Sequence, residues 1–332
     1  MKILLLNEKD IRSVFTMSEA IDAAADALAE YSTGKCVIPL RTNIDVPEGS
    51  GQSLYMQGYC AKSGALGVKI VSVYPNNIAK GRNSVPATMV LLDEMTGETC
   101  ALLDGTCLTR LRTGAVSGTA TRLLANNNAR VGAIFGTGGQ AETQLEAMLT
   151  ARPKLEIVRV FDVAQERAEA FAEKMQKQLT GFSAVIHAAT SPDDAVREAD
   201  IVTTVTTSRH PVFRGELLKD GAHVNAVGAY TPQMQEIDET VLRRATKIFV
   251  DTRDGALNES GDFLIPFASG AITRDNVTGE LGELIEGRVT GRESESEISV
   301  FETVGTAALD LVTAKRVYLR AKEKGIGQTV DL

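Results

Sequence analysis

One hexapeptide constrains this chain more than any other: Gly136-Thr137-Gly138-Gly139-Gln140-Ala141 follows the apolar run Val131–Phe135 and opens a helical stretch. A strand, a Gly-x-Gly-x-x-Ala turn and a helix in immediate succession predict a dinucleotide-binding unit. Gly136 permits the tight turn, Gly138 lets backbone N–H groups approach a pyrophosphate, and Ala141 is small enough for the helix to pack closely. The free N–H groups and the positive dipole end of the helix make the anion site. The second strand, Ile157–Phe161, ends at Asp162, where a carboxylate can accept hydrogen bonds from an adenosine ribose and would repel a 2′-phosphate. No Arg or Lys directly follows Asp162, so NAD is the expected cofactor, with NADP the alternative.

Strand and helix continue to alternate through the Ala/Glu-rich Gln165–Gln178 and the apolar runs Ile201–Thr206, His223–Val227 and Ile248–Val250. This pattern predicts an α/β fold with a parallel, doubly wound Rossmann sheet. Thr204, Val205 and Thr206 fall where the fourth strand should end beside the cofactor, and Val227 and Gly228 end the next strand. Before Arg130 the texture differs. Thr16-Met17-Ser18-Glu19 has the capping-box form and starts an amphipathic helix that stops at Gly34. From Val37 to Leu103, short β-like runs separated by Pro47-Glu48-Gly49, Lys62-Ser63-Gly64 and Met95-Thr96-Gly97 predict an antiparallel sheet. A helix follows from Cys107 to Ala125, and a last one covers about Thr303–Lys324. The parallel sheet of residues 125–301 is therefore expected as an insertion into an α+β antiparallel-sheet domain of residues 1–124 and 302–332.

Composition enters mainly as exclusion. With 35 Lys+Arg against 43 Asp+Glu, neither nucleic acid nor an anionic membrane surface is expected as the main partner. No apolar run approaches the ~20 residues of a membrane span. Cys36, Cys60, Cys100 and Cys107 are scattered without a Cys-x-x-Cys, and His187, His210 and His223 do not cluster near them. Reduced thiols in a cytoplasm and no metal site are the expectation, each Cys serving as a small buried hydrophobe.

Five stretches outside composition and periodicity are similar to a known family, that of ornithine cyclodeaminase and mu-crystallin. They are Pro39-Leu40-Arg41-Thr42, Gly67-Val68-Lys69-Ile70-Val71, Leu111-Arg112-Thr113-Gly114-Ala115-Val116-Ser117, the Gly136–Ala141 loop, and Asn225-Ala226-Val227-Gly228-Ala229; Glu259-Ser260-Gly261-Asp262 is a sixth, lesser match. The resemblance implies a homodimer whose antiparallel sheets pair across the interface, and an active site in the cleft between the two domains. It implies that Arg41, Lys69 and Arg112 hold a substrate carboxylate, with Met56 also touching substrate. The residues themselves agree, because Lys69 interrupts an otherwise apolar strand and a buried cation there needs an anion.

The departures from the family are as informative. In cyclodeaminases an aspartate that acts on the substrate amine follows the Val-Gly-Gly stretch, whereas here Tyr230 follows Val227-Gly228-Ala229. The glutamate that binds the distal amine is replaced by Leu54 in Leu54-Tyr55-Met56. Without these carboxylates, a cofactor, a carboxylate clamp and an apolar pocket suit hydride transfer to a preformed C=N bond. The expected function is NAD(P)H-dependent reduction of a small cyclic 2-imino acid, with Lys69, Arg112 and Tyr230 as catalytic residues and Tyr230 as a proton donor. A cyclodeaminase or alanine-type dehydrogenase, with Asp262 or Glu236 replacing the absent base, is the enzyme alternative. A dinucleotide-dependent binding protein is the non-enzyme one.

Overall fold

The computed structural model describes residues 1–332, which form two compact units: Met1–Arg112 with Thr306–Leu332, and Thr113–Gly305. The second unit is built on eight parallel strands. Their order across the sheet is Val185–Ala188, Ile157–Phe161, Val131–Phe135, Ile201–Thr204, His223–Ala226, Ser299–Glu302, Lys247–Val250 and Gly279–Glu280. The first three strands in the chain thus run to one side and the fourth and fifth to the other. The order of strand addition reverses between Val131–Phe135 and Ile201–Thr204, which is where the carboxyl ends of strands in such sheets leave a crevice for a ligand. Strand residues face two apolar layers in turn: Ala133 and Phe135 pack with Val202 and Val224, while Ile134 packs with Leu145 and Val160. Burial on both faces explains why these strands read as continuous apolar runs.

In the first unit the sheet order is Gln328–Asp331, Lys2–Leu6, Thr99–Asp104, Ala87–Leu92, Ala65–Val73, Gly51–Cys60 and Cys36–Val37, with Thr42–Val46 also paired to Gly51–Cys60. All neighbours are antiparallel except Lys2–Leu6 with Thr99–Asp104. The helix Ala307–Lys324 lies over Gly51–Cys60, Ala65–Val73 and Ala87–Leu92 and packs beside the helix Met17–Ser32. Met17–Ser32 starts at the expected capping box, Thr16 accepting from Glu19 N and Glu19 accepting from Thr16 N.

Two boundaries differ from those read off the sequence. The helix Gly105–Leu124 is continuous, yet the division falls inside it, because from Thr113 onward its partners belong to the second unit. The Thr113 carbonyl accepts from Gln144 Nε2 at 2.9 Å, and Thr121 Oγ1 accepts from Asn225 Nδ2 at 3.0 Å. The last helix begins at Ala307, capped by Thr306. Thr303 and Gly305 instead donate to Asp251 Oδ2, which keeps them with the parallel sheet.

Candidate active site

In the second unit the glycine turn is shaped as a phosphate cradle. Gly136 has φ +101°, and a Cβ there would also press within 2.8 Å of the Val205 carbonyl, so only glycine fits. Gly138 and Gly139 face open space. The helix Ala141–Ala151 that follows has no side-chain cap at Gln140, and the Gln140 Oε1 is buried without a hydrogen-bond partner. Uncapped helix N–H groups over bare glycine backbone fit the pyrophosphate of a dinucleotide. Asp162 accepts from Thr137 N at 3.1 Å, Thr137 Oγ1 at 2.6 Å and Ala164 N at 3.1 Å. Burial alone would raise the Asp162 pKa, but these bonds and Arg167, 3.7 Å away, outweigh it and hold the carboxylate below its usual range.

Thr204, Thr206 and Gly228 share one anchor that the sequence did not show in this role. Glu236, fully buried, accepts from Thr206 N, from Gly228 N at 2.6 Å and from Thr204 Oγ1 at 3.0 Å. Val227 N donates to the Thr204 carbonyl at 3.1 Å. A side chain at Gly228 would collide with the Thr206 backbone and with Glu236. Glu236 is itself set by Asp262, whose Oδ1 accepts from Glu236 N at 2.6 Å and Ile237 N at 3.0 Å. Both acids are completely buried, Glu236 tied to Thr204, Thr206 and Gly228, and Asp262 Oδ2 left without a partner.

In the first unit, Lys69 points into the sheet's covered face and is 1% exposed. Its direct cross-strand neighbours are Met56 and Met89, both buried. The anion that this lysine needs comes from the chain itself. Asp310, one turn into the helix Ala307–Lys324, lies 2.7 Å from Lys69 Nζ through Oδ2 and 2.8 Å from Arg112 Nε through Oδ1. One carboxylate therefore bridges two buried cations. Burial pushes the Lys69 ammonium down to about 8; Asp310 opposes that shift, and the charges of Arg112 and Arg41 add to it. Arg41 is partly exposed and near enough for its charge to be felt at Lys69.

The expected site residues thus fall in two groups, one per unit. Tyr230 is 38% exposed, in the loop after Gly228 and Ala229, with its backbone N–H bonded to the Gly228 carbonyl at 3.1 Å. Asp310 was missed altogether; its only signal was an acid inside the apolar string Ala307-Ala308-Leu309-Asp310-Leu311-Val312. Of the cysteines, Cys36 and Cys100 are only partly buried, and Cys36 meets Cys60 across the sheet edge, where the sequence reading had all four as scattered hydrophobes.

The family model of the ornithine cyclodeaminase/mu-crystallin family matches residues 1–325. A Δ1-pyrroline-2-carboxylate reductase of Bacillus cereus is 38% identical over 329 residues, covering 99% of this chain and 100% of that enzyme. Among solved structures, the Δ1-pyrroline-2-carboxylate reductase of Thermococcus litoralis, in complex with NADH and L-proline, superposes with a TM-score of 0.93 at 40% identity, over 99% of this chain and 100% of its own. An archaeal alanine dehydrogenase dimer with bound NAD gives 0.90 at 33% identity, over 100% of both chains.

Proposed function

This chain belongs to the ornithine cyclodeaminase/mu-crystallin family, and from that premise we propose that it reduces a small cyclic 2-imino acid to the L-amino acid with NADH. Δ1-Pyrroline-2-carboxylate and its six-membered homologue Δ1-piperideine-2-carboxylate are the substrates. The observation that carries the reading is the charge count around Asp310. Two buried cations, Lys69 and Arg112, share a single carboxylate, so one positive charge is left over inside an apolar sheet. A monoanionic carboxylate balances it, and burial without such a partner is costly.

Bound NADH supplies the hydride. The remaining work falls to the chain. Arg112 commits Nε to Asp310, which leaves its Nη groups to bind a carboxylate, with Arg41 as a second guanidinium. Lys69, with a pKa pushed down to about 8, carries a proton at neutral pH and is acidic enough to give it to the imine nitrogen as the carbon receives hydride. Met56 and Met89 beside it keep water from the ammonium. Tyr230 in its exposed loop is the alternative donor, and Lys69 is the better-held acid. The acid absent from position 230 and the Leu54 that stands for a glutamate argue against ornithine as substrate. The paired reductase and alanine dehydrogenase likenesses support NAD over NADP and a homodimer. No helix is long and apolar enough to cross a membrane.

NADH oxidation by the purified protein, measured with cyclic imines, with 2-oxo acids plus ammonia or methylamine, and with ornithine assayed in parallel for ammonia release, tests this directly. A cyclic imine is expected to be the fastest substrate, with ornithine at least ~100-fold slower, the low end of what a positioned acid–base group supplies. Efficient conversion of ornithine to proline with ammonia release overturns the proposal.

A further inference from the structure

Cys36 and Cys60 stand directly opposite each other where Cys36–Val37 runs antiparallel to Gly51–Cys60. The pair next to them, Lys35 and Ala61, is a hydrogen-bonded one, Ala61 N donating to the Lys35 carbonyl at 3.2 Å. Pair types alternate along an antiparallel ladder, so Cys36 and Cys60 occupy a non-hydrogen-bonded position, where opposing Cα atoms approach to about 4.5 Å. That separation lies within the ~4.4–6.8 Å that a disulfide spans. The two Sγ atoms are 2.7 Å apart. Cys36 is partly exposed and Cys60 is fully buried.

We propose that Cys36 and Cys60 form a redox-modification site, a dithiol that a low-molecular-weight disulfide converts reversibly to a cross-strand disulfide. Cys36, the accessible sulfur, loses its proton to solvent and attacks one sulfur of the reagent. The reagent's S–S bond breaks, and one small thiol leaves carrying a proton. Cys60 then gives up its proton and attacks Cys36 Sγ, expelling the second small thiol. Two protein thiols are oxidised by two electrons and the reagent is reduced to two thiols.

The buried Glu30 lies beside the pair, its carboxylate and both sulfurs mutually within 4.8 Å. Two sulfurs and a carboxylate are also a donor set for zinc. Two facts favour the disulfide. Glu30 is already turned to the Lys62–Ser63 turn, accepting from Lys62 N at 2.5 Å, from Ser63 N at 3.3 Å and from Ser63 Oγ at 2.6 Å. A structural zinc site also takes four protein ligands, and only three candidate donors gather here. The bond would fix the two-residue strand Cys36–Val37 to the sheet and close a ring containing Arg41.

The full-length protein is incubated with oxidised glutathione and analysed by intact mass, thiol titration after denaturation, and non-reducing peptide mapping. The expected result is a loss of about 2 Da, a fall from four titratable thiols to two, a linked peptide pair carrying Cys36 and Cys60, and reversal by dithiothreitol. C60S is expected to trap one glutathione on Cys36, and C36S to stay unreacted. The mapping needs only the unmodified sequence, so a variant that misfolds leaves the test intact. Four thiols surviving, a bond involving Cys100 or Cys107, or stoichiometric zinc that C36S or C60S releases, each overturns the proposal.

Discussion

Both units bury charge, and they do so in opposite ways. In the second unit Glu236, Asp251, Asp262 and Glu302 are all fully buried acids. Their donors come from within: Glu236, Asp251 and Asp262 take backbone N–H and hydroxyl donors, and Glu302 takes Ser260 Oγ at 2.9 Å, while Asp262 Oδ2 and Glu302 Oε2 are buried without a donor. Burial first, and then the charge of Glu236 on Asp262 and of Asp262 on Glu302, raise the pKa values of Asp262 and Glu302 well above normal. The first unit does the reverse, keeping two cations on one carboxylate with charge to spare. A buried cluster closed by its own backbone is scaffold, and one left with uncancelled charge is prepared for a ligand.

The largest effect expected from this contrast is on stability. Asp310→Asn removes the anion from two buried cations and should cost about 3–5 kcal/mol, read from urea unfolding at neutral pH. A loss under ~1 kcal/mol would mean that the cluster is not the buried ion pair described here.

Next comes catalysis. Lys69→Ala and Arg112→Ala should each lower kcat/KM for the best imine by about 2–4 kcal/mol while NADH affinity stays within twofold. A fall of less than fivefold would break the division of labour between the units.

A pH dependence sharpens the role of Lys69. The positive charge left over for a substrate carboxylate exists only while Lys69 is protonated, and with a pKa of about 8 it is present below that pH and lost as pH rises through it. Equilibrium binding of L-proline to the NAD-loaded protein should therefore weaken about tenfold, or 1.4 kcal/mol, between pH 7 and pH 9; a flat profile to pH 10 would remove Lys69 from the clamp.

The smallest effect belongs to the acidic cluster. Glu302→Gln retains an acceptor for Ser260 and cannot ionise, so it should change stability by less than about 1 kcal/mol at pH 5. Glu302 has a folded pKa above its usual 4.5, so the unfolded chain ionises first and the parent loses stability as pH rises above that value, whereas the Gln variant does not. Urea unfolding from pH 5 to 8 should show the variant gaining on the parent; a constant difference would count against a raised Glu302 pKa.

What the sequence revealed and what it hid divide along the range of the interactions. The βα unit around Gly136 and the capping box at Thr16 depend on residues a few positions apart, so each carries its full signal locally. The Lys69–Asp310 bond joins residues separated by 241 positions, and neither residue encodes the other. Lys69 announced that an anion was required but not from where. The helix Gly105–Leu124 hid the division inside it because it is buried along most of its length and presents no change of texture at Thr113. Glu236 was weighed as a base because it is an acid near the right strand ends; only the positions of the Thr206 and Gly228 N–H groups show that it is a tie. The facing of Cys36 and Cys60 depends on strand register, which two cysteines far apart in the chain do not announce.

The loop after Gly228 has an evolutionary reading. Gly228 has no room for any side chain and Ala229 is fully buried, so neither position can drift. Tyr230, immediately next to them, is 38% exposed. Substitutions at exposed positions generally shift stability by under about 0.5 kcal/mol. Position 230 is therefore free to change at little cost to folding while the cradle beneath it stays fixed.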